Sequence, residues 1–211
     1  MSVVFKDGAT VLFQGDSITD ASRSRQDASN MGHGYAAMAS AWFSAEFPEK
    51  RVRFINRGIS GNRAADLVHR WEEDCIALKP TWVSILIGVN DTWRGFDRND
   101  PTSVESFEAS YRTILEATNK TLRAGIIMLE PFLLPIPDNR RQWRADLDPK
   151  LHAVRALARE FGARLVPTDG VFAAAAARRE MEFWAPDGIH PTPAGHALIA
   201  QAWLRTVGAI R

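Results

Sequence analysis

The chain has one cysteine, Cys75, in 211 residues, which excludes an intramolecular disulfide and any cysteine-based metal cluster. Charge of one sign is also lacking. Lys and Arg number 26 against 25 Asp and Glu, a net +1, so no electrostatic pull toward nucleic acid is expected. The arginines at 140, 141 and 144 are expected to form a solvated loop rather than a binding patch. No apolar run approaches the ~20 residues of a membrane span, so no membrane partner is expected. The opening Met1 to Asp7 has neither the charged head nor the apolar stretch of a secretory leader, and a cytoplasmic protein is the expectation. A Gly-rich phosphate loop followed by Lys is missing, which argues against NTP hydrolysis. No Gly-x-Ser-x-Gly elbow occurs, which argues against the α/β-hydrolase family. The five histidines lack metal-ligand spacing, so no catalytic metal or cofactor is expected.

What is present is an alternation of short apolar runs with longer helical patterns. The runs cover 10–14, 52–56, 82–87, 125–129 and 164–167, and none alternates cleanly between apolar and polar residues. That pattern suits strands covered on both faces. Segments with helical spacing lie between them at 35–47, 64–78, 103–122, 151–161 and 194–207. Cys75 falls in the second of these and is expected to be a small core residue on a helix. The alanine run 173–177 is good helix composition. Strand and helix in alternation imply a parallel sheet with right-handed crossovers and helices on both faces. The length suits one well-buried domain spanning 1–211. In open parallel sheets the ligand crevice lies beyond the carboxyl ends of the strands. Three segments leave the chain there, at 20–34, 91–102 and 131–144, and are expected to be loops around one cleft.

Gly15-Asp16-Ser17-Ile18 follows the first apolar run directly. A serine where a strand breaks into a turn presents its hydroxyl at the top of the sheet. A free hydroxyl is a weak nucleophile and needs a base within reach. Of the histidines, His69, His152 and His196 fall inside helical patterns, and His33 lies in a Gly-flanked loop. His190 differs, because Asp187 precedes it by three residues on a stretch bounded by Pro186 and Pro191. Such a turn can set a carboxylate against one ring nitrogen while the other faces the cleft. Acyl transfer also requires donors aimed at an oxyanion. Gly61 after the second run and the Asn90 amide after the third could join the Ser17 N–H in that task. Asp16 and Asp91 suit the holding of turns through backbone N–H groups.

Taken in order, Gly15-Asp16-Ser17-Ile18, Gly61, Gly88-Val89-Asn90-Asp91 and Asp187-Gly188-Ile189-His190 resemble the SGNH, or GDSL, hydrolase superfamily. The resemblance implies Ser17 as nucleophile, His190 as base, Asp187 as orienter, and Ser17, Gly61 and Asn90 as the oxyanion hole. It also implies a flavodoxin-like three-layer α/β/α sandwich on a mainly five-stranded parallel sheet. Over nearly the whole chain the blocks 15–20, 56–62, 70–74 and 87–94 look like the bacterial intracellular xylan and xylo-oligosaccharide acetylesterases of this superfamily. That likeness implies removal of short acyl groups, acetyl above all, from O-acetylated carbohydrates, with self-association of the chain. Arg63 stands where many relatives carry Thr, and Pro186 where an aromatic is common. Both departures touch the cleft rim and bear on substrate rather than chemistry. Trp93, Arg94, Asp16 and Trp184 are the expected substrate-side residues, with Trp93 equally suited to packing the loop. The same catalytic set could serve longer acyl chains, as in lipases, lysophospholipases and thioesterases of the superfamily. A non-catalytic sugar-binding module fits the intact Ser, Asp and His less well.

Overall fold

A computed structural model describes residues 3–211. Five strands, β1 (Thr10–Gly15), β2 (Arg53–Asn56), β3 (Trp82–Leu86), β4 (Gly125–Leu129) and β5 (Arg164–Val166), pair in the order β2-β1-β3-β4-β5. Every pairing is parallel, with Val11 opposite both Phe54 and Trp82 and Gly15 opposite Leu86. Among the described residues the α-helices are α1 (Ser17–Asp20), α2 (Tyr35–Glu46), α3 (Ala64–Asp74), α4 (Val89–Asp97), α5 (Val104–Thr121), α6 (Arg144–Glu160), α7 (Thr168–Ala176), α8 (Met181–Trp184) and α9 (Pro193–Thr206).

The two-residue repeat of the strands divides the core into two apolar layers. Val11, Phe13, Leu86, Ile127 and Leu129 face one layer, closed by Tyr35, Ala39 and Phe43 of α2, Phe172 of α7 and Ile199 and Trp203 of α9. Leu12, Val83, Ile85, Ile126 and Met128 face the other, closed by Leu67 and Trp71 of α3, Phe107 and Tyr111 of α5 and Val154 and Leu157 of α6. Two indole N–H groups admitted to these layers are paired, as unpaired ones would be costly, whereas the buried Tyr111 hydroxyl has no partner. The Trp203 indole N–H donates to Ser84 Oγ at 3.0 Å, and the Trp71 indole N–H to Thr118 Oγ1 at 3.1 Å. The result is the expected three-layer sandwich.

Several boundaries differ from the sequence reading, each for a local reason. Residues 91–102, expected as loop, open inside α4. Val89, Trp93 and Phe96 recur at helical spacing there, and the turn-like Gly88-Val89-Asn90-Asp91 is the entry to that helix rather than a free turn. Segment 131–144 is irregular only as far as Pro137, and a 3₁₀ stretch spans Asp138–Trp143. α6 starts at Arg144, well before residue 151, and carries Pro149 within it while Leu147 and Lys150 are buried. α3 ends at Asp74. Cys75 is fully buried but terminates the helix, with φ −133°, and Ile76–Leu78 form a 3₁₀ turn. Among the described residues no helix is long and apolar enough to cross a membrane.

Candidate active site

The order β2-β1-β3 makes the carboxyl ends of β1 and β3 a topological switch point, because the chain leaves them toward opposite faces. Ser17 follows β1 and is the first residue of α1, so its N–H has no acceptor within the helix. Asp16 caps that turn: its Oδ1 accepts from Ile18 N–H at 3.0 Å, and its own carbonyl accepts from Asp20 N–H at 2.8 Å. At 1 % exposure Asp16 lies beneath the serine, out of a substrate's reach. The structure therefore corrects its assignment to the substrate side and leaves it as a turn-holder. Burial pushes its carboxyl up to about 7.

The loop between α8 and α9 brings His190 over Ser17, with Nε2 at 3.0 Å from Oγ. On the other side of the ring, Nδ1 lies 2.7 Å from Asp187 Oδ2. Asp187 Oδ1 accepts the backbone N–H groups of His190 at 2.8 Å and Ile189 at 3.0 Å, so one carboxylate fixes both the turn and the ring. Gly188 makes this turn possible. Its φ is +78°, and a Cβ there would stand 2.3 Å from Leu134 O and 2.5 Å from Ile136 O. Burial alone would raise the Asp187 carboxyl, but the His190 ring and these backbone donors outweigh it and hold the group well below the ordinary carboxylate range. An ionised carboxylate only accepts, so Nδ1 carries the proton and Nε2 is left to accept from the Ser17 O–H. The bond from Asp187 also raises the His190 pKa by favouring the imidazolium.

The neighbouring strand ends supply the other groups. Gly61 sits in the β2–α3 loop with φ +85°, and Asn90 in the first turn of α4 is 2 % exposed. One Asn90 Nδ2 hydrogen bonds Asn62 O at 3.0 Å, which fixes the amide and leaves its second N–H free for a ligand. The loop is tied from beneath by Arg70, whose guanidinium donates to Asn62 Oδ1 at 2.8 Å, Gln14 Oε1 at 2.8 Å and Asp74 Oδ2 at 3.0 Å. Asp91 holds its far end, accepting Ala64 N–H at 3.1 Å, and burial pushes that carboxyl up to about 7. Sequence reasoning placed Arg70 only within a block of resemblance. Its spacing to Asp74 was visible, but its reach to Gln14 and Asn62 is a product of the fold.

The Trp93 ring lies 5.8 Å from the His190 ring and 5.9 Å from Trp143. Arg94 pairs with Asp97 at 2.6 Å, and its guanidinium comes within 3.7 Å of where a Gly61 Cβ would stand. Trp184 packs on the core beside α9, edge-on to Phe183 at 4.8 Å, and its carbonyl accepts Thr192 N–H at 2.9 Å. It thereby anchors the segment after His190.

The expected solvated arginine loop needs correction. Arg141 is exposed, but Arg144 is bound to Asp169 at 2.6 Å, and the Arg140 side chain is 13 % exposed. Arg140 stacks over both Trp93 and Trp143 and donates to the Asp187 carbonyl. A cation set against two adjoining aromatic rings is a favourable setting that composition could not reveal.

The sequence profile of the GDSL-like lipase/acylhydrolase family matches residues 13–198. An acetylxylan esterase of Geobacillus stearothermophilus is 37% identical over 209 residues, 95% of this chain and 94% of that protein. The crystal structure of Axe2, an acetylxylan esterase from the same organism, superposes with a TM-score of 0.88 at 35% identity, covering 98% of each chain. LAE5, a hydrolase enzyme from the metagenome of Lake Arreo, superposes with a TM-score of 0.92 at 34% identity over 100% of both chains. With similarity of this extent around a serine, a histidine and an aspartate in line at the strand ends, the chain belongs to the GDSL-like lipase/acylhydrolase family of ester hydrolases.

Proposed function

We propose that this protein is a serine acetylesterase that removes acetyl groups from O-acetylated carbohydrates, xylo-oligosaccharides first among them. The observation that carries the chemistry is the unbroken line Asp187–His190–Ser17, with contacts of 2.7 and 3.0 Å, beside the Asn90 amide. His190 takes the Ser17 proton as Oγ attacks the ester carbonyl, and Asp187 stabilises the imidazolium. The Ser17 and Gly61 N–H groups and the Asn90 amide receive the oxyanion. The sugar alcohol leaves with the proton from His190. Water then attacks the acetyl-enzyme by the same route and frees Ser17. The preference for an acetylated sugar rests on the 37% identity to an acetylxylan esterase. Trp93 is the ring nearest His190 and the candidate to border the bound sugar.

The test is acetate release from acetylated xylo-oligosaccharides, run beside acetyl and octanoyl aryl esters. Acetate release with the acetyl ester preferred supports the proposal. A preference for the octanoyl ester with no release from the sugars would assign the site to lipid or thioester chemistry.

Removing one oxyanion donor by Asn90→Ala should lower kcat by ~10²–10³ with little change in KM. Steady-state kinetics on an aryl acetate check this. The pH dependence follows from the sign of the His190 shift. The neutral imidazole is the active form and its pKa is raised, chiefly by the Asp187 bond. The acid limb of kcat/KM should therefore have its midpoint above the ordinary histidine value of ~6.5, with activity falling below it. A pH–rate profile reads this directly.

A further inference from the structure

Arg140 has no place in the relay just described, yet it is the side chain most closely engaged with its back. It belongs to the 3₁₀ stretch Asp138–Trp143 and reaches into the acid–base turn from outside. Its guanidinium carbon lies 5.0 Å from the Trp93 ring centroid and 4.9 Å from that of Trp143. One Nη1 hydrogen bonds the carbonyl oxygen of Asp187, and the same nitrogen is 3.7 Å from Asp187 Oδ2. Trp93, one of these two rings, lies 5.8 Å from the His190 ring. A planar guanidinium can lie against both neighbouring indoles and keeps its charge there, which an ammonium does with less contact.

We propose that Arg140 is a positioning residue of the acid–base pair: seated against the adjoining Trp93 and Trp143 rings and hydrogen bonded to the Asp187 carbonyl, it fixes the backbone of the Asp187 turn so that His190 meets Ser17. The inference rests on the serine-hydrolase reading of the site. Among the described residues Arg140 is the group that hydrogen bonds the Asp187 carbonyl; the carboxylate's bonds to Ile189 and His190 lie within the turn itself, and the brace from Leu134 N–H falls one residue on, at Gly188 O, 2.9 Å away.

The charge of Arg140 gives the proposal a second consequence. Four ionisable groups surround the His190 ring: Asp187 in its own turn, Asp16 before α1, Arg140 from the 3₁₀ stretch and His196 on α9. Asp187 dominates and favours the imidazolium, Asp16 acts in the same direction, and Arg140 opposes them. Removing the guanidinium should therefore raise the His190 pKa, a change that loss of packing alone would not make.

The experiment compares Arg140→Gln, Arg140→Lys and Arg141→Gln, the last removing a charge from the exposed neighbouring arginine. Kinetics on an aryl acetate are paired with NMR titration of the His190 ring, which needs no turnover and so separates this proposal from the esterase reading. Arg140→Gln should lose roughly 10- to 100-fold in kcat, as for a small misplacement of a reacting group, with KM within about twofold. Its acid limb and ring titration should both move to higher pH. Arg140→Lys should keep the wild-type titration and recover kcat only in part, and Arg141→Gln should match the wild type. A fall in melting temperature with kcat and ring titration unchanged in Arg140→Gln would overturn the proposal. So would the same pH shift in Arg141→Gln. If Arg140→Gln does not fold, Arg140→Lys decides: wild-type kcat there overturns the role, and reduced kcat with an unmoved titration supports it.

Discussion

Ser17→Ala is expected to lower kcat on an aryl acetate by a factor on the order of 10⁶, about 8 kcal/mol of transition-state stabilisation, with the fold intact. The size follows from what the hydroxyl does: without Oγ there is no acyl-enzyme, and the oxyanion donors can assist only direct attack by water. The fold should survive because Ser17 Oγ has its bond to His190, at 3.0 Å, and the turn beneath is held by Asp16 through Ile18 N–H. A melting temperature within a few degrees of wild type, measured beside the kinetics, separates lost chemistry from lost structure. Activity within tenfold of wild type would contradict the assignment.

Asp187→Asn should be the next most damaging change, at about 10⁴ in kcat, or roughly 5 kcal/mol. The substitution is close to isosteric. The Asn carbonyl can take the place of Oδ1 and still accept from His190 and Ile189 N–H, which preserves the turn. The other position then presents an N–H to Nδ1 instead of an acceptor. That favours the ring tautomer with its proton on Nε2, which cannot receive the Ser17 proton. The chief cause of the raised His190 pKa is removed at the same time. What acid limb remains should therefore shift to lower pH, opposite to the shift expected of Arg140→Gln. Kinetics and a pH profile on this variant check both statements.

Much of this arrangement was legible in the chain, and the limits of legibility have physical causes. β1 reads plainly because five of its six residues are buried between two helical layers, which demands an unbroken apolar run followed by a turn. Asp187 and His190 were legible because their contact is local, within one turn fixed by Gly188. α4 was missed because Gly88, Asn90 and Asp91 at its entry are turn formers and only Val89, Trp93 and Phe96 mark the helix. Arg140 was misread because an arginine's exposure is decided by distant partners, here Trp93 and the Asp187 carbonyl. Asp16 shows the same limit in reverse: the sequence allowed it both a turn-holding and a substrate-side place, and the fold buries it with Oδ1 capping α1 and Oδ2 without a partner. Arg70 joins β1 to the Gly61–Asn62 loop through bonds to Gln14 and Asn62 that no local pattern announces.

The central claim is that His190 activates Ser17, and stoichiometric phosphorylation by an organofluorophosphate reads that activation at a single atom. The account predicts one adduct per chain, mapped by peptide mass to Ser17, with the reaction slowed by orders of magnitude in His190→Ala. Labelling at any other residue, or equally fast labelling of Ser17 in the His190 variant, would contradict it.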